Sequence, residues 1–375
     1  MKIGIITLWR LKNYGTILQC YALQKYLYDR GHDAYLIRYD SRNDSPKTNI
    51  LKLLFKALNP VKLYFFLKRK YINSLENKKN LRGFDSFFKK YIKQSEKIYY
   101  SYNELKENPP DADVYIVGSD QIWKFKGIPT DKVKARLHAC FLDFGKIETK
   151  RISYAPSFGV EKLDDSFVKE ITPLLEKFNY VSVREKSGLD ICKQCGINNA
   201  EWVPDPTILL DINIYRSLYS DLSINLPDKA YCFLYLLDNR IDFSVQAIFD
   251  WIKKDNLDVV YVTGNNRQDK YKKIYATIPE WIYLLEHAEY VITNSYHCCI
   301  FSILFEKKFG VRPHAGKKIG ENIRLDSLFE LFQIERRYIN SDLSVVKRDI
   351  NWQSVSNILQ NIRNDCKLPN IINGN

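Results

Sequence analysis

Apolar runs of strand length alternate with stretches of helical spacing along most of the 375 residues, and this alternation constrains the fold more than any other feature. Residues 3–8 read as a first strand, 14–30 as a helix closed by Gly31, and 34–39 as a second strand, a β-α-β unit. Further strands are expected at 114–117, 151–155 and 181–183, with a helix over 164–178. After the turn-rich Pro204-Asp205-Pro206, a second series predicts strands at 231–237, 259–263, 290–293 and 309–312. Helices are expected near 243–253, 279–287 and 297–306. Strands that alternate with helices form mostly parallel sheets.

The fold class expected is therefore α/β, two Rossmann-like domains facing a cleft in a GT-B-like arrangement. The first covers 1–205 and the second 206–375, with the last helix, 352–363, packing back on the first. The apolar runs fall far short of the roughly 20 residues that span a bilayer, and the opening segment lacks the pattern of a signal peptide. A cytoplasmic protein is expected. The eight cysteines are scattered, neither dense nor spaced like a disulfide framework. Cys192 and Cys195 form one C-x-x-C without a second pair to complete a zinc site, so a buried helical face is expected and no metal.

The charge is uneven. Residues 47–97 hold 12 Lys and 2 Arg against Glu76, Asp85 and Glu96, net +11 of the chain's +13. Aromatic residues such as Phe65, Phe66 and Tyr71 are interleaved. A basic helical insert over about 47–100 is expected in the first domain, suited to the anionic inner face of a cell membrane. A nucleic-acid surface and a plain solvated face are the competing readings; no nucleic-acid partner is expected.

Ligands of open α/β sheets sit beyond the carboxyl ends of the strands, and four polar segments lie there. Asn13-Tyr14-Gly15-Thr16 leads from the first strand into a helix N-terminus, a setting that favours anions; Asn13 equally reads as an N-cap and Gly15 as a packing point. Ser119 and Asp120 follow the strand 114–117, where Asp120 suits a base for a sugar hydroxyl, or a helix cap. Arg184 leaves a strand with a planar fork for carboxylate or phosphate, or pairs with Glu185 or Asp205. Ser295, Tyr296 and His297 open a helix, placing His297 to bind phosphate or donate a proton. Cys298 and Cys299 read as packed rather than nucleophilic.

These segments, with Ile152-Ser153-Tyr154-Ala155-Pro156-Ser157-Phe158-Gly159, Val203-Pro204-Asp205-Pro206-Thr207 and Asn322-Ile323-Arg324-Leu325, resemble the polysaccharide pyruvyl transferase family over about residues 1–340. The resemblance implies transfer of a pyruvyl group from phosphoenolpyruvate to two hydroxyls of one sugar. The product is a cyclic ketal on a cell-surface polysaccharide, exopolysaccharide or capsule, or on its lipid-linked oligosaccharide precursor. Phosphoenolpyruvate is the donor substrate, and no cofactor is implied. Arg184 and His297 fall on donor-binding positions, with Ser295, Tyr296 and Arg324 beside them. His297 is implied as acid or phosphate ligand and Asp120 as base, with Asn13, Tyr14, Gly15, Ser119 and Asp120 on the acceptor side. Two positions depart from the family pattern. Ser295 stands where an arginine is common, so that charge must come from Arg324, Arg312, Lys307 or Lys317, and Cys298 replaces a small glycine. A nucleotide-sugar glycosyltransferase and a non-catalytic component of a glycan assembly system are the rival readings.

Overall fold

The apolar runs pair as parallel strands in two open sheets. The computed structural model describes residues 1–40, 67, 71, 74, 79–125, 127, 129–224, 227–237, 244–264, 269–314 and 320–374. The first sheet comprises β1 (Lys2–Ile6), β2 (Asp33–Tyr39), β3 (Gln94–Tyr99), β4 (Val114–Val117) and β5 (Lys150–Ser153), in the order β3-β2-β1-β4-β5. Two short strands, β6 (Ser182–Val183) and β7 (Glu201–Trp202), continue beyond β5 through an Ile152–Tyr180 bridge. The second sheet comprises β8 (Tyr231–Tyr235), β9 (Asp258–Val262), β10 (Tyr290–Thr293) and β11 (Lys308–Val311), in the order β11-β10-β8-β9. Every ladder among the described residues is parallel. The fold is α/β, with two Rossmann-like sheets.

Strand order reverses between β1 and β4 in the first sheet and between β8 and β10 in the second. Such switch points open a crevice at the carboxyl ends of the strands. The loop 7–13 and the turn 118–120 leave the first crevice, and Asn294-Ser295 leaves the second.

Helix α1 (Tyr14–Tyr28) joins the halves. Thirteen of its 15 residues are buried, because it is apolar on nearly every face and packs on both sides. Tyr14, Ile17 and Leu18 share one core with Phe233, Tyr235, Trp281 and Phe301 of the second half. Each such buried apolar side chain stabilises by about 1.5–3 kcal/mol.

The expected helical insert is corrected where it is described. Phe84–Tyr91 is a helix, with Phe87 and Tyr91 edge-on to Tyr21 of α1. Residues 94–99, however, are not helical but form β3, the edge strand beside β2. Its polar sequence needs only one ladder partner, and Gln24 anchors its approach by bonding both the N–H and the carbonyl of Lys93. Most of the basic stretch, and the membrane-surface expectation with it, lies outside the described residues. Among the described residues no helix is long and apolar enough to cross a membrane.

The chain ends by returning to the first half. From the helix Trp352–Asn364, Arg363 donates to the carbonyls of Ile208 (3.0 Å) and Leu210 (2.7 Å). Lys367 then pairs with Glu201 at 2.8 Å, and Lys150 of β5 donates to Ile372 O at 3.2 Å.

Candidate active site

The turn after β4 carries a backbone that only a fixed requirement sustains. Asp120 adopts φ 69° and ψ −177°, a region natural to glycine and costing other residues about 1–3 kcal/mol. Ser157 N–H donates to Asp120 O at 2.8 Å. The carboxylate accepts from Gln121 N–H at 2.9 Å and from the Thr16 hydroxyl at 2.8 Å. Asn13 caps α1, accepting from Gly15 N–H at 3.0 Å, so the helix N-terminus and Asp120 are locked together through Thr16.

Arg184 leaves β6 and is 2% exposed. Its Nη1 donates to Asp205 Oδ2 at 2.9 Å, its Nη2 lies 3.7 Å from Asp120 Oδ1, and its Cζ stands 4.4 Å from the ring centre of Tyr296. Nε and Nη2 are buried without a hydrogen-bond partner, although buried donors are nearly always satisfied. Asp205 is saturated: Oδ2 also accepts from Ser119 Oγ (2.7 Å), and Oδ1 accepts from Thr207 N–H and Oγ1 at 3.1 and 2.8 Å.

From the second sheet, β10 ends at Thr293 and Ser295 caps the helix Tyr296–Leu304. His297 Nε2 then lies 3.3 Å from Asp205 Oδ2. Gly15 is pressed against this imidazole, where a Cβ would stand 2.3 Å from Cγ and Nδ1. Arg324, on the helix Ile323–Leu331, lies with Cζ 5.8 Å from the Tyr296 ring centre, and Glu321 accepts from it at 3.4 Å. Glu321 also pairs with Lys124 at 2.7 Å, bridging the two halves.

Burial opposes ionisation of Asp205, but His297, Arg184 and the Ser119 hydroxyl outweigh it and hold the carboxyl far below its usual range. Asp120 is likewise held below its usual range, since His297, Arg184 and Thr16 overcome its burial. Burial also opposes the charge of Arg184, but Tyr296, Asp205, Glu185 and Asp120 keep it firmly protonated. Glu185 goes the other way. Burial raises it above the usual range despite Arg184, Ser157 and Arg324.

Asp120, Ser119, Arg184, Tyr296, His297, Arg324 and Gly15 thus converge, while Asn13 and Ser295 cap the helices that carry Gly15 and His297. Tyr14 does not join them. Its hydroxyl donates to Ala276 O and its ring stacks on Trp281 at 5.3 Å, so it is a packing residue of the junction rather than a wall of the acceptor side. Among the cations named for the missing family arginine, Arg324 is the one at the centre. Arg312 donates to the carbonyls of Ile339 and Asn340, Lys307 precedes β11 at its opposite end beside Glu289 and Glu286, and Lys317 lies outside the described residues. Cys298 and Cys299 are fully buried; burial pushes the Cys298 thiol up to about 12 and Cys299 well above the usual value, which makes both poor nucleophiles. Cys192 and Cys195 are buried too, and no group of three metal-binding side chains occurs among the described residues.

Asp205 and Glu185 are the central residues that sequence reasoning passed over as functional. The available signal was position: each lies within three residues of the end of a short strand at the sheet's carboxyl edge. Beside the centre, a cavity of about 260 Å³ opens at the ends of β1 and β2, lined by Leu8, Trp9, Leu11, Tyr39 and Ile122 among others.

The chain is similar to solved structures at low identity. UDP-GlcNAc 2-epimerase from Methanocaldococcus jannaschii is 12% identical, with 98% of this chain and 94% of that one covered and a TM-score of 0.44. Arabidopsis thaliana UGT89C1 complexed with UDP-L-rhamnose is 11% identical, covering 99% and 92%, with a TM-score of 0.45. The glycosyltransferase SnogD from Streptomyces nogalater is 13% identical, covering 97% and 94%, with a TM-score of 0.40. No curated protein matches the chain. The polysaccharide pyruvyl transferase family matches residues 13–312, a span that begins at the cap of α1, ends just past β11 and holds Asp120, Arg184, Asp205 and His297, and the chain belongs to that family.

Proposed function

We propose that this transferase moves a pyruvyl group from phosphoenolpyruvate onto two hydroxyls of one sugar in a cell-surface polysaccharide or its lipid-linked precursor. The observation that carries the reading is Arg184, a buried, firmly protonated guanidinium whose Nε and Nη2 make no hydrogen bond. Buried donors of that kind are made for an anion that arrives with the substrate. Phosphoenolpyruvate brings a carboxylate and a phosphate. Arg324 and the N-termini of α1 and the helix Tyr296–Leu304 supply further positive potential.

In the proposed reaction the methylene carbon gains a proton and the central carbon becomes electrophilic. One sugar hydroxyl adds there, the bond to phosphate breaks, and the second hydroxyl adds in its place. Two hydroxyl protons are lost, one proton is gained by carbon and one by the departing phosphate, so no further reactant is needed. His297, set against the saturated carboxylate of Asp205, receives the phosphate, and Arg184 and Arg324 stabilise its charge as it leaves. Asp120 accepts a hydroxyl proton; a weak base suffices against so electrophilic a carbon.

Calorimetric titration with phosphoenolpyruvate, UDP and GDP tests this. The expected result is saturable binding of phosphoenolpyruvate alone, weakened at least tenfold in Arg184→Ala and His297→Ala. Binding of a nucleotide in its place, or phosphoenolpyruvate affinity unchanged in both variants, overturns the proposal.

A further inference from the structure

Glu185 is a carboxyl group placed without an evident structural task. It occupies the N-cap position of the helix Lys186–Gln194, where a side-chain oxygen ordinarily accepts from the first turn, yet it makes no capping bond. It turns inward and is 1% exposed. One oxygen accepts the hydroxyl of Ser157, and the other, Oε2, is buried with no partner. A buried ionised carboxylate left half-satisfied is costly; a buried carboxylic acid, with a proton to donate into the site, is not.

The groups that face it come from every wall of the centre. Arg184 precedes it in the chain, Ser157 comes from the loop after β5, Asp120 from the turn after β4, Arg324 from the helix Ile323–Leu331 and Tyr296 from the helix Tyr296–Leu304. Of the other candidates for a proton donor, two are carboxylates held ionised and the third, His297, keeps Nε2 beside Asp205 without a hydrogen bond. Asp205 accepts from four donors and stays ionised, and Asp120 is held ionised.

Resting on the pyruvyl-transfer reading, we infer that Glu185 carries the proton that the methylene carbon of phosphoenolpyruvate receives. Protonation forms a C–H bond at that carbon as Glu185 becomes carboxylate, and the electron pair of the C=C bond moves into the new bond. Arg184 and Arg324, drawn on by the departing phosphate, then compensate the carboxylate. A proton lost by an incoming sugar hydroxyl restores the acid. Glu185 supplies the acid of the reaction, Asp120 its base, and His297 is left as ligand to the phosphate.

Binding a polyanion beside Glu185 raises its hold on a proton further, so donor binding and proton uptake are coupled. Calorimetry of phosphoenolpyruvate binding between pH 6 and 9.5, in HEPES and in Tris buffers of different ionisation enthalpy, counts the protons taken up. The unmodified chain is expected to take up close to one proton more than Glu185→Gln at the pH of greatest difference, while Glu185→Gln binds phosphoenolpyruvate within about threefold. Ser157→Ala removes a bond that favours the charged form, and its uptake maximum is expected at higher pH. Equal proton uptake by the unmodified chain and a folded Glu185→Gln overturns this inference alone. So does a Ser157→Ala maximum that stays in place or moves to lower pH. Loss of affinity beyond tenfold in folded Glu185→Gln makes Glu185 a binding group and also overturns it. Absence of phosphoenolpyruvate binding by the unmodified chain overturns the functional reading and this inference together.

Discussion

Gly15→Ala tests the contact on which the two halves of the site depend. The added methyl would stand 2.3 Å from Cγ and Nδ1 of His297 and 2.5 Å from its Cβ, whereas ordinary contact begins at 3.4 Å. The imidazole must retreat by about 1 Å, and a shift of that size removes a hydrogen bond. If His297 holds the donor phosphate through a charge-assisted bond of about 1.5–3 kcal/mol, phosphoenolpyruvate affinity falls roughly 10- to 150-fold. Stability moves less. Overpacking costs about 1–3 kcal/mol, and alanine in a helix recovers about 0.5–1 kcal/mol of that, leaving a net loss of up to about 2.5 kcal/mol. Calorimetry and urea unfolding measure the two separately. Gly31→Ala is the control: it has φ +79° and no atom within 4 Å of its added methyl, so it loses about 1–2 kcal/mol to backbone strain without touching binding. A folded Gly15→Ala that binds phosphoenolpyruvate within twofold of the unmodified chain refutes the placement of His297 against the donor.

Two further substitutions probe the framework. Asp205→Asn leaves Arg184 buried without its principal counter-charge and is expected to cost about 3–5 kcal/mol in urea unfolding at pH 7. Because the folded-state carboxyl is held below its unfolded value of about 3.9, that difference is fully present above the unfolded value and shrinks as pH falls below about 4; a difference that persists undiminished below pH 3 contradicts it. Asp120→Gly and Asp120→Ala lose the same carboxylate, but only glycine relaxes at φ 69°, so the glycine variant is expected to be more stable by about 1–3 kcal/mol. Equal unfolding midpoints would mean that this backbone carries no strain.

Much of the strand framework was legible because apolar runs at regular spacing have few alternatives. Residues 114–117 and 290–293 match their strands to the residue, and the others differ at their ends. β3 was not legible: Gln94-Ser95-Glu96-Lys97 carries the composition of a solvated helix, and only the free edge of β2 makes a strand of it. The site was legible where strand ends announce it, as at Asp120, Arg184 and His297. Tyr14 was misread because adjacency in a motif does not fix the direction of a side chain; at the first turn of a helix buried all round, its ring enters the shared core. Asp205 reads from the sequence as a partner of Arg184 between two prolines; two of its four donors belong to nearby Thr207, but Ser119 comes from a segment too distant in sequence for spacing to reveal. Glu185 was read as a salt-bridge partner of its neighbour, since nothing in a sequence distinguishes a capping carboxylate from one that forgoes its cap.

The chain passes between the sheets twice, outward near Ile208 and back after Arg363, and Arg363 ties the two passages together through the carbonyls of Ile208 and Leu210. Two passages strapped at one point resist being drawn apart there. Asp205 lies three residues from Ile208, no more than about 11 Å along the chain. The carboxylate that gathers Ser119, Arg184, Thr207 and His297 therefore sits within a few residues of the strap. Holding the two passages together and holding the charged centre in place are in this way one mechanical task.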